Sequence, residues 1–341
     1  MDRIDSVKNP RVKAARALHS VKGRNESGMF LCEGEHMVEE AVKAAAQESN
    51  VGLAFALGSA FAVDTLFVDE ACQGKYAELI EEARADNCFL VPAHVMEAIS
   101  TVKSPQGILA VVRLQTPRIT SRENLGVHGV SPAAFGVSYQ DPAEATDYLF
   151  DEMVSGAAPP FSGDDSGQPD AGDSPVAIDD DALDEEISPS VLGDKLVLME
   201  RVQDPGNVGA ILRTMDAAGF DGAILSPGCA DPFAPKALRA TMGAVFRVPT
   251  MQVKSAAAAA RTLKEEGYAV IAAALNGKDF FARKRLPGKL CLIIGNEGAG
   301  VSDETLKVAT HTYRLPMRGG AESLNAAAAA AVFIYELSYR K

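Results

Sequence analysis

Residues Lys195–Ala218 read KLVLMERVQDPGNVGAILRTMDAA. The opening KLVLM is a short, nearly continuous apolar run, which is typical of a strand that is buried on both faces. The turn formers Asp204-Pro205-Gly206 follow, and after them apolar side chains recur at helical spacing. This stretch therefore predicts a strand, a turn and a helix, which is the repeating unit of a mainly parallel α/β sheet.

The same unit recurs up to the end of the chain. Further strands are predicted at Ala223–Ser226, Val245–Val248, Tyr268–Ala274, Leu290–Ile294 and Thr312–Leu315. Helices are predicted at Asn207–Ala218, Ala234–Met242, Ala256–Glu266, Asp303–Val308 and Ser323–Ser338. In a sheet of this kind, ligands bind at the carboxyl ends of the strands.

The first ~110 residues also alternate between strands and helices, which predicts a small α/β sandwich. The predicted strands are Met29–Cys32, Thr65–Val68, Cys88–Val91 and Ile108–Arg113. The predicted helices are Asn9–Leu18, Gly34–Gln47, Lys75–Ala85 and Ala93–Ile99. No cluster of catalytic residue types occurs in this part of the sequence.

The acidic residues are concentrated between these two parts. From Glu123 to Asp194 there are 17 Asp and Glu and neither Lys nor Arg, whereas the rest of the chain holds 29 acidic and 33 basic residues. The segment is rich in Gly, Ser, Pro and Asp, and its apolar surface is too small to offset the entropy of ordering. We therefore expect a domain at 1–119, an acidic disordered linker at 120–190 with a short helix near Ala143–Met153, and a domain at 191–341.

The net charge of −13 would argue against nucleic acid as a partner if it were spread evenly. Outside the acidic segment the chain is mildly basic, and Met1–Asn25 holds seven basic and two acidic residues. Such a surface can contact phosphates, or it can be a solvated helix face. The charge pattern alone leaves both interpretations open.

The remaining composition limits the class of protein. The five cysteines are odd in number and lack a Cys-x-x-Cys pair, and the five histidines lack ligand spacing, so neither disulfides nor a metal site is expected. Reduced thiols, the absence of a signal peptide in Met1–Asp5 and the absence of a ~20-residue apolar run favour a cytoplasmic protein without a membrane span.

Three polar loops follow predicted strands of the C-terminal domain. They are DPGNVGAILR at Asp204–Arg213, GNEGAG at Gly295–Gly300 and LPMRGGAESLN at Leu315–Asn325. Each has an ordinary interpretation: Asn207 can be a helix N-cap, the second loop a glycine-rich turn, and Glu322-Ser323 a helix start. Three such loops at strand ends of one domain indicate a binding site.

On these motifs, residues 195–341 resemble the SpoU (TrmH) family of RNA ribose 2′-O-methyltransferases, which belongs to the SPOUT class. The N-terminal domain is similar to the ribosomal-protein-like substrate-binding domain of rRNA-directed members. The acidic insert departs from the family, whose linker is usually short. The matching positions are Asn207, Gly209, Arg213, Lys236–Ala244, Gly295–Gly298, Leu315–Met317 and Glu322–Ala326.

The resemblance implies a trefoil-knotted, mainly parallel α/β domain that binds S-adenosylmethionine and forms homodimers. Backbone groups are expected to bind the adenosine part of the cofactor. The cofactor residues carried over are Gly295, Leu315 and Leu324, with Met317, Ala274 and Asn296 nearby. No metal ion is expected in the reaction.

The resemblance also assigns roles at the reacting centre. Arg213 is expected to stabilise the developing alkoxide of the ribose 2′-hydroxyl and to clamp the adjacent phosphate. Asn207 and Asn325 are expected to orient Arg213 or the ribose, and Glu297 to pair with an arginine. Ser323 completes the catalytic set, and the candidate RNA contacts are Arg239, Lys236, Arg11 and Lys13.

Three functions remain open. An rRNA 2′-O-methyltransferase fits the intact motifs and the separate N-terminal domain. A tRNA 2′-O-methyltransferase of the same family is the first alternative, although tRNA-directed members more often carry short terminal extensions. The second alternative is a non-catalytic RNA-binding protein on this fold, which would be expected to have lost Asn207, Arg213 or Asn325.

Overall fold

The structure is a computed structural model that describes residues 1–46, 60–85, 87–115 and 188–339. The short helix predicted near Ala143–Met153 lies outside these ranges, as does most of the segment predicted to be a disordered linker. None of the helices in the described ranges has the length and apolar composition that crossing a membrane requires. All five cysteines are described, and all are free thiols.

The N-terminal domain is built on a five-stranded mixed sheet in the order β1-β4-β3-β5-β2. β1, β4 and β3 are parallel, and β5 is antiparallel to β3 and β2. The strands are β1 (Asp2–Arg3), β2 (Met29–Glu33), β3 (Ala60–Asp69), β4 (Asn87–Val91) and β5 (Ile108–Gln115). The helices are α1 (Pro10–Ala17), α2 (Val21–Ser27), α3 (Glu35–Ala46), α4 (Ala77–Ala83) and α5 (Ala93–Ile99).

Helices cover both faces of this sheet, which confirms the predicted sandwich. Along β2, Met29 and Leu31 pack with α1 and α5, whereas Phe30 and Cys32 pack with α3 on the opposite face. The alternation follows from the two-residue period of a strand. The four predicted strands and four predicted helices are present, and among the described residues of this domain the sequence analysis missed the short β1, α2 and a 3-10 helix at Glu70–Cys72.

The C-terminal domain contains a six-stranded, fully parallel sheet in the order β11-β9-β10-β6-β7-β8. Helices α6 and α10 pack on one face of the sheet, and α8 and α9 pack on the other. The strands are β6 (Lys195–Met199), β7 (Gly222–Leu225), β8 (Thr250–Gln252), β9 (Ala269–Asp279), β10 (Leu290–Ile294) and β11 (His311–Arg314). The helices are α6 (Pro205–Ala218), α7 (Pro235–Thr241), α8 (Ala256–Glu265), α9 (Asp303–Val308) and α10 (Ala326–Tyr339).

One strand prediction in this domain is wrong. Ala244–Phe246 form a short 3-10 helix, and the strand that follows is Thr250–Gln252 rather than Val245–Val248. The apolar side chains of this segment are buried for a different reason, because Val245 and Phe246 pack against the N-terminal domain. An apolar run alone does not distinguish a sheet partner from a domain partner.

The two domains share a core. Phe30 and Phe61 of the N-terminal domain face Phe233 and Phe246 of the C-terminal domain, with ring centroids 4.7 Å apart for Phe30–Phe233 and 4.9 Å for Phe61–Phe246. The buried Arg24 donates to the Asp231 carboxylate at 2.7 Å. Because removal of residues 1–119 would expose these rings, side-chain substitutions test the role of the N-terminal domain better than truncation does.

The described part of the C-terminal domain starts with a 3-10 helix at Pro189–Leu192. Leu192 is buried, and a side chain at Gly222 of β7 would meet its Cβ at 2.7 Å. The linker end predicted at residue 190 therefore falls within this helix.

We expect that deleting residues 121–187 and inserting a flexible Gly/Ser linker changes the melting temperature by less than about 4 °C, which corresponds to about 1 kcal/mol for a chain of this size. The reason is compositional, because the segment is poor in the apolar residues that build a core. Scanning calorimetry of both proteins measures the change. A larger drop would contradict the expectation.

Candidate active site

The three polar loops lie together at the carboxyl edge of the parallel sheet. They follow β6, β10 and β11, whose ends are neighbours in the strand order together with β9. Asn325 Nδ2 donates to Asn207 Oδ1 at 3.0 Å, and Asn207 Nδ2 donates to Glu297 Oε1 at 2.9 Å. One residue from each loop is thus joined in a single hydrogen-bonded chain, as expected if the loops form one site.

The Asn207 side chain can form both of these hydrogen bonds because Asn207 does not cap helix α6. Helix α6 begins at Pro205, and the Asp204 carboxylate accepts from the backbone N–H groups of Gly206 at 2.6 Å and Asn207 at 3.2 Å. Lys236 Nζ donates to the other Asp204 oxygen at 2.8 Å, which holds the pKa of Asp204 below its usual range. The Asp-Pro pair was the available sequence signal, since Asp is a preferred N-cap and Pro a preferred first helical residue.

Among the described residues, Glu297 has no arginine partner, and its expected pairing with an arginine stays a prediction. Its carboxylate instead accepts from the backbone N–H of Gln203 at 3.2 Å, from that of Asp204 at 3.1 Å, and from Asn207. Partial burial raises the pKa of Glu297, but these hydrogen bonds lower it more, and the net pKa lies below its usual range. Glu297 is therefore an ionised carboxylate that ties the loop after β10 to the loop after β6.

Asn325 begins the last helix of the structure. Its Oδ1 accepts from the N–H groups of Ala327 at 2.9 Å and Ala328 at 3.2 Å, so its side chain caps α10 while its Nδ2 reaches Asn207. The helix therefore starts three residues later than predicted. Ser323 and Leu324 consequently lie in the loop, and both are exposed to solvent.

The loop after β10 is stabilised mainly from within. Asn296 Oδ1 accepts from the N–H groups of Gly298 at 3.0 Å and Ala299 at 2.9 Å, and its Nδ2 donates to the Arg201 carbonyl at 2.9 Å. The backbone of Asn296 pairs with Gly300. Asn296 thus shapes the loop, and its direct contact with a cofactor stays a prediction.

The backbone groups expected to hold the cofactor are available. In residues 188–339, the N–H and C=O groups of Gly295, Leu315, Met317 and Leu324 have no hydrogen-bond partner. Gly295 is buried, and a Cβ there would lie 2.2 Å from the Gly300 carbonyl carbon and from the Val301 nitrogen. These positions therefore offer unpaired backbone donors and acceptors, and at Gly295 the surrounding space is tight.

An irregularity of β9 completes this edge. The register of β9 with β11 jumps from Ala272 to Lys278, so the intervening residues lie outside the ladder, which resumes at Lys278. This segment contains Ala274, which is half-buried, and Leu275, which is 66% exposed. Leu275 and Leu324 thus add exposed apolar surface to the segments that follow the parallel strands, and apolar lining is typical of small-molecule sites.

Arg213 lies on α6, one turn after Gly209 and about one turn before Asp216. Gly209 and Asp216 therefore lie on the same side of α6 as Arg213, and both approach the segment after β7. A Cβ at Gly209 would lie 2.4 Å from the Ala237 carbonyl oxygen, and the Asp216 carboxylate accepts from Arg247 at 2.9 Å. Arg213 itself is exposed and has no polar partner among the described residues. Its guanidinium is therefore available for a substrate.

The four candidate RNA contacts form two separate pairs. Lys236 and Arg239 lie on α7, where Lys236 is ion-paired with Asp204 and Arg239 donates to Thr101 Oγ1 at 2.8 Å. Arg11 and Lys13 lie on α1, with Arg11 over the Phe89 ring at 5.8 Å from its centroid and Lys13 exposed. The sequence analysis missed Asp204 and Thr101, of which only Asp204 had a local signal.

No metal cluster accompanies the site. Within the described ranges, no group of three or more His, Cys, Asp and Glu side chains is arranged to hold a metal ion.

Comparison with known proteins identifies both domains. Residues 194–335 match the SpoU rRNA Methylase family, and residues 9–110 match the MRM3-like substrate binding domain. The 23S rRNA (guanosine(2553)-2'-O)-methyltransferase RlmP of Bacillus subtilis is 27% identical, over 99% of this chain and 99% of that protein. The 23S rRNA (uridine(2479)-2'-O)-methyltransferase of Streptomyces viridochromogenes is 35% identical over 41% of this chain and 50% of that protein.

A solved structure has the same overall arrangement. The AdoMet-bound rRNA methyltransferase from Sinorhizobium meliloti aligns with a TM-score of 0.65 at 25% sequence identity, covering 98% of this chain and 97% of that one. The likeness therefore extends over both domains rather than the sheet alone. The chain therefore carries a SpoU rRNA methylase domain at residues 194–335 and, in front of it, an MRM3-like substrate-binding domain at residues 9–110.

Proposed function

We propose that this protein is an S-adenosylmethionine-dependent RNA ribose 2′-O-methyltransferase and that its substrate is rRNA. The observation that carries the proposal is the joining of the three motif loops through Asn207, Glu297 and Asn325, in a domain whose helix α6 also carries the exposed Arg213. The names of the relatives, which are 23S rRNA 2′-O-methyltransferases, support rRNA over other RNAs.

The residues present fit the cofactor. Adenine edges need N–H and C=O partners in a narrow apolar slot, and Gly295, Leu315, Met317 and Leu324 offer unpaired backbone groups of that kind. The bulge containing Ala274 borders the same edge. When bound, S-adenosylmethionine supplies an electrophilic methyl group on its sulfonium.

The protein's own contribution at the reacting centre is electrostatic. Negative charge develops on the ribose O2′ as its proton leaves to solvent, and the guanidinium of Arg213 stabilises that charge and holds the adjacent phosphate. A guanidinium is always charged in a protein, so we assign Arg213 to stabilisation rather than to proton removal. Asn207 and Asn325 hold the ribose, and the exposed Ser323 lies in the same loop as Asn325.

The proposed function predicts cofactor binding without a metal ion. Isothermal titration with S-adenosylmethionine in the presence of a chelator should give saturable binding, and the protein should transfer the methyl group to rRNA. Mass-spectrometric mapping of ribose methylation in rRNA from a deletion strain would identify the nucleotide. Strict dependence on a divalent ion for cofactor binding would contradict the prediction.

The two alternatives give different outcomes in the same experiments. A tRNA-directed enzyme would leave the methylation pattern of rRNA unchanged and remove a ribose methyl group from tRNA. A non-catalytic RNA-binding protein would bind RNA without transferring a methyl group. Neither alternative is favoured by an observation at the site, where all five polar motif residues are present.

The assembly and the location of the protein are also proposals. We propose a homodimer, and its support is an exposed apolar stripe on α10, where Val332, Tyr335 and Tyr339 are 37%, 44% and 71% exposed. An rRNA substrate favours the cytoplasm. The knotted chain path that the resemblance implies stays a prediction.

Two substitutions of Asn325 separate its structural role from its role at the site. Asn325→Ala removes the helix cap and should lower stability by about 1 kcal/mol. Asn325→Asp keeps an acceptor for the N–H groups of Ala327 and Ala328, but it cannot donate to Asn207. We therefore expect it to retain the melting temperature and to lose about 10- to 100-fold in methyl transfer.

Thermal melts and single-turnover transfer assays of both variants provide the two measurements. If Asn325→Asp transferred the methyl group at the wild-type rate, the hydrogen bond to Asn207 would have no role in the reaction.

A further inference from the structure

Thr101 of the N-terminal domain connects two charged side chains from different domains. Its Oγ1 donates to Glu33 Oε2 at 2.7 Å and accepts from Arg239 Nη1 at 2.8 Å. Glu33 ends β2, whereas Arg239 lies near the end of α7 in the C-terminal domain. The contact between Thr101 and Arg239 therefore links residues 138 positions apart in the chain.

The direction of these hydrogen bonds is fixed by chemistry. A guanidinium only donates and a carboxylate only accepts, so the single hydroxyl proton of Thr101 points to Glu33 and its lone pairs face Arg239. The backbone N–H of Thr101 also donates to Glu33 Oε2 at 3.1 Å, and Ser100 Oγ donates to Glu33 Oε1. Glu33 thus holds the loop and aims the acceptor at Arg239.

Arg239 retains most of its binding capacity. Among the described residues its only polar partner is Thr101, which uses one of the five N–H groups of the guanidinium. No carboxylate in residues 1–46, 60–85, 87–115 or 188–339 neutralises its charge directly, and the side chain is exposed at a cleft whose walls come from both domains. A planar cation held at one corner, with its other donors free, is suited to a phosphate oxygen pair.

The position of α7 relates Arg239 to the reacting centre. Helix α7 packs closely on α6 at Gly209, one turn before Arg213, and Lys236 of α7 binds the N-cap of α6. The same segment of the C-terminal domain meets the N-terminal domain again through Arg247 and Glu40. An RNA chain gripped by Arg239 would therefore be placed relative to Arg213 by both domains.

We propose that Thr101 and Glu33 are positioning residues that hold Arg239 as a clamp on a backbone phosphate of the RNA substrate. The proposal rests on the proposed function for the identity of the substrate. In the competing interpretation, the hydrogen bond between Thr101 and Arg239 only stabilises the packing of the two domains. The two differ in what Arg239 does with its free donors.

A matched pair of substitutions at Thr101, made in the full-length protein, tests whether the Thr101 hydroxyl positions Arg239. Thr101→Val keeps the shape but removes the hydroxyl, whereas Thr101→Ser keeps the hydroxyl. We expect Thr101→Val to raise KM for RNA about three- to tenfold with a smaller change in kcat, and Thr101→Ser to stay within about twofold of wild type. Equal KM values for both variants and wild type would show that Thr101 does not position Arg239 for RNA binding.

The clamp itself is tested by the salt dependence of RNA binding. Arg239→Ala should weaken filter binding of rRNA fragments about tenfold and reduce the slope of log K against log salt by about 0.7 to 0.9. In the Arg239→Ala background, Thr101→Val should have no further effect, because both act through one contact. An unchanged slope, or additive effects accompanied by a lower melting temperature, would assign the contact to domain joining instead.

The outcome is separable from that of the proposed function. If wild-type protein transfers no methyl group to rRNA or tRNA, the proposed function fails, yet the binding slopes still decide whether Arg239 contacts phosphate. If wild-type protein is active, while the salt slope of Arg239→Ala and the KM of Thr101→Val equal the wild-type values, the proposed phosphate clamp is wrong and the proposed function stands.

Discussion

Replacing Arg213 with alanine is expected to lower the rate of methyl transfer by about 100- to 1,000-fold, the usual cost of removing one donor that stabilises developing negative charge. Cofactor affinity should stay within about twofold, because the unpaired backbone groups assigned to the cofactor lie in the loops after β10 and β11 rather than on α6. Single-turnover transfer to rRNA and titration with S-adenosylmethionine give the two values independently.

Arg213→Lys is the informative companion of this variant. Lysine preserves the charge but presents a point donor instead of a planar fork, so a clamp on phosphate and O2′ should be lost almost as completely as in Arg213→Ala. Because Arg213 is exposed and has no polar partner in residues 188–339, neither substitution should disturb folding. Near wild-type turnover by Arg213→Lys would refute the clamp role.

The alternation of strands and helices was predictable because it depends on local periodicity. KLVLM at Lys195–Met199 is a strand in the structure, and the apolar runs at Leu290–Ile294 and Ile108–Gln115 are strands as well. Val245–Val248 was predicted on the same signal and is wrong. Burial there comes from the other domain, and the sequence carries no sign of which surface covers an apolar run.

The site was predictable as a set of loops but not in its hydrogen bonding. Motif positions told us that Asn207, Glu297 and Asn325 belong together, and parallel topology brings their loops to one edge. The partners of Glu297 could not be anticipated, because they are backbone N–H groups, which every residue except proline possesses.

Contacts between the domains were outside the reach of sequence patterns. Thr101 has no motif and lies in a bend, and its contact with Arg239 exists only because α7 packs beside the end of β2. Similarly, Arg24 was counted among the basic residues of the N-terminus, yet it is buried in an ion pair with Asp231. The basic surface of Met1–Asn25 is consequently smaller than the sequence count indicates.

Two glycines of the loop after β10 are expected to respond very differently to the same substitution. A Cβ at Gly295 would lie 2.2 Å from two backbone atoms, the Gly300 carbonyl carbon and the Val301 nitrogen. Backbone cannot rotate away as a side chain can, so Gly295→Ala should cost about 3 kcal/mol or more and lower the melting temperature by about 6–12 °C. Displacement of this loop should also lower the affinity of Gly295→Ala for the cofactor at least about 100-fold.

Gly298 provides the matched control in the same loop. A Cβ there would have only Asn296 Oδ1 within 4 Å, at 3.7 Å, which is ordinary van der Waals contact, and the residue is exposed. Gly298→Ala should therefore keep the melting temperature within about 2 °C and retain cofactor binding. Thermal melts and isothermal titration of the two variants measure both effects. Equal behaviour of Gly295→Ala and Gly298→Ala would mean that the tight approach at Gly295 does not shape the cofactor site, and the assignment of its backbone groups to the adenosine part would fall with it.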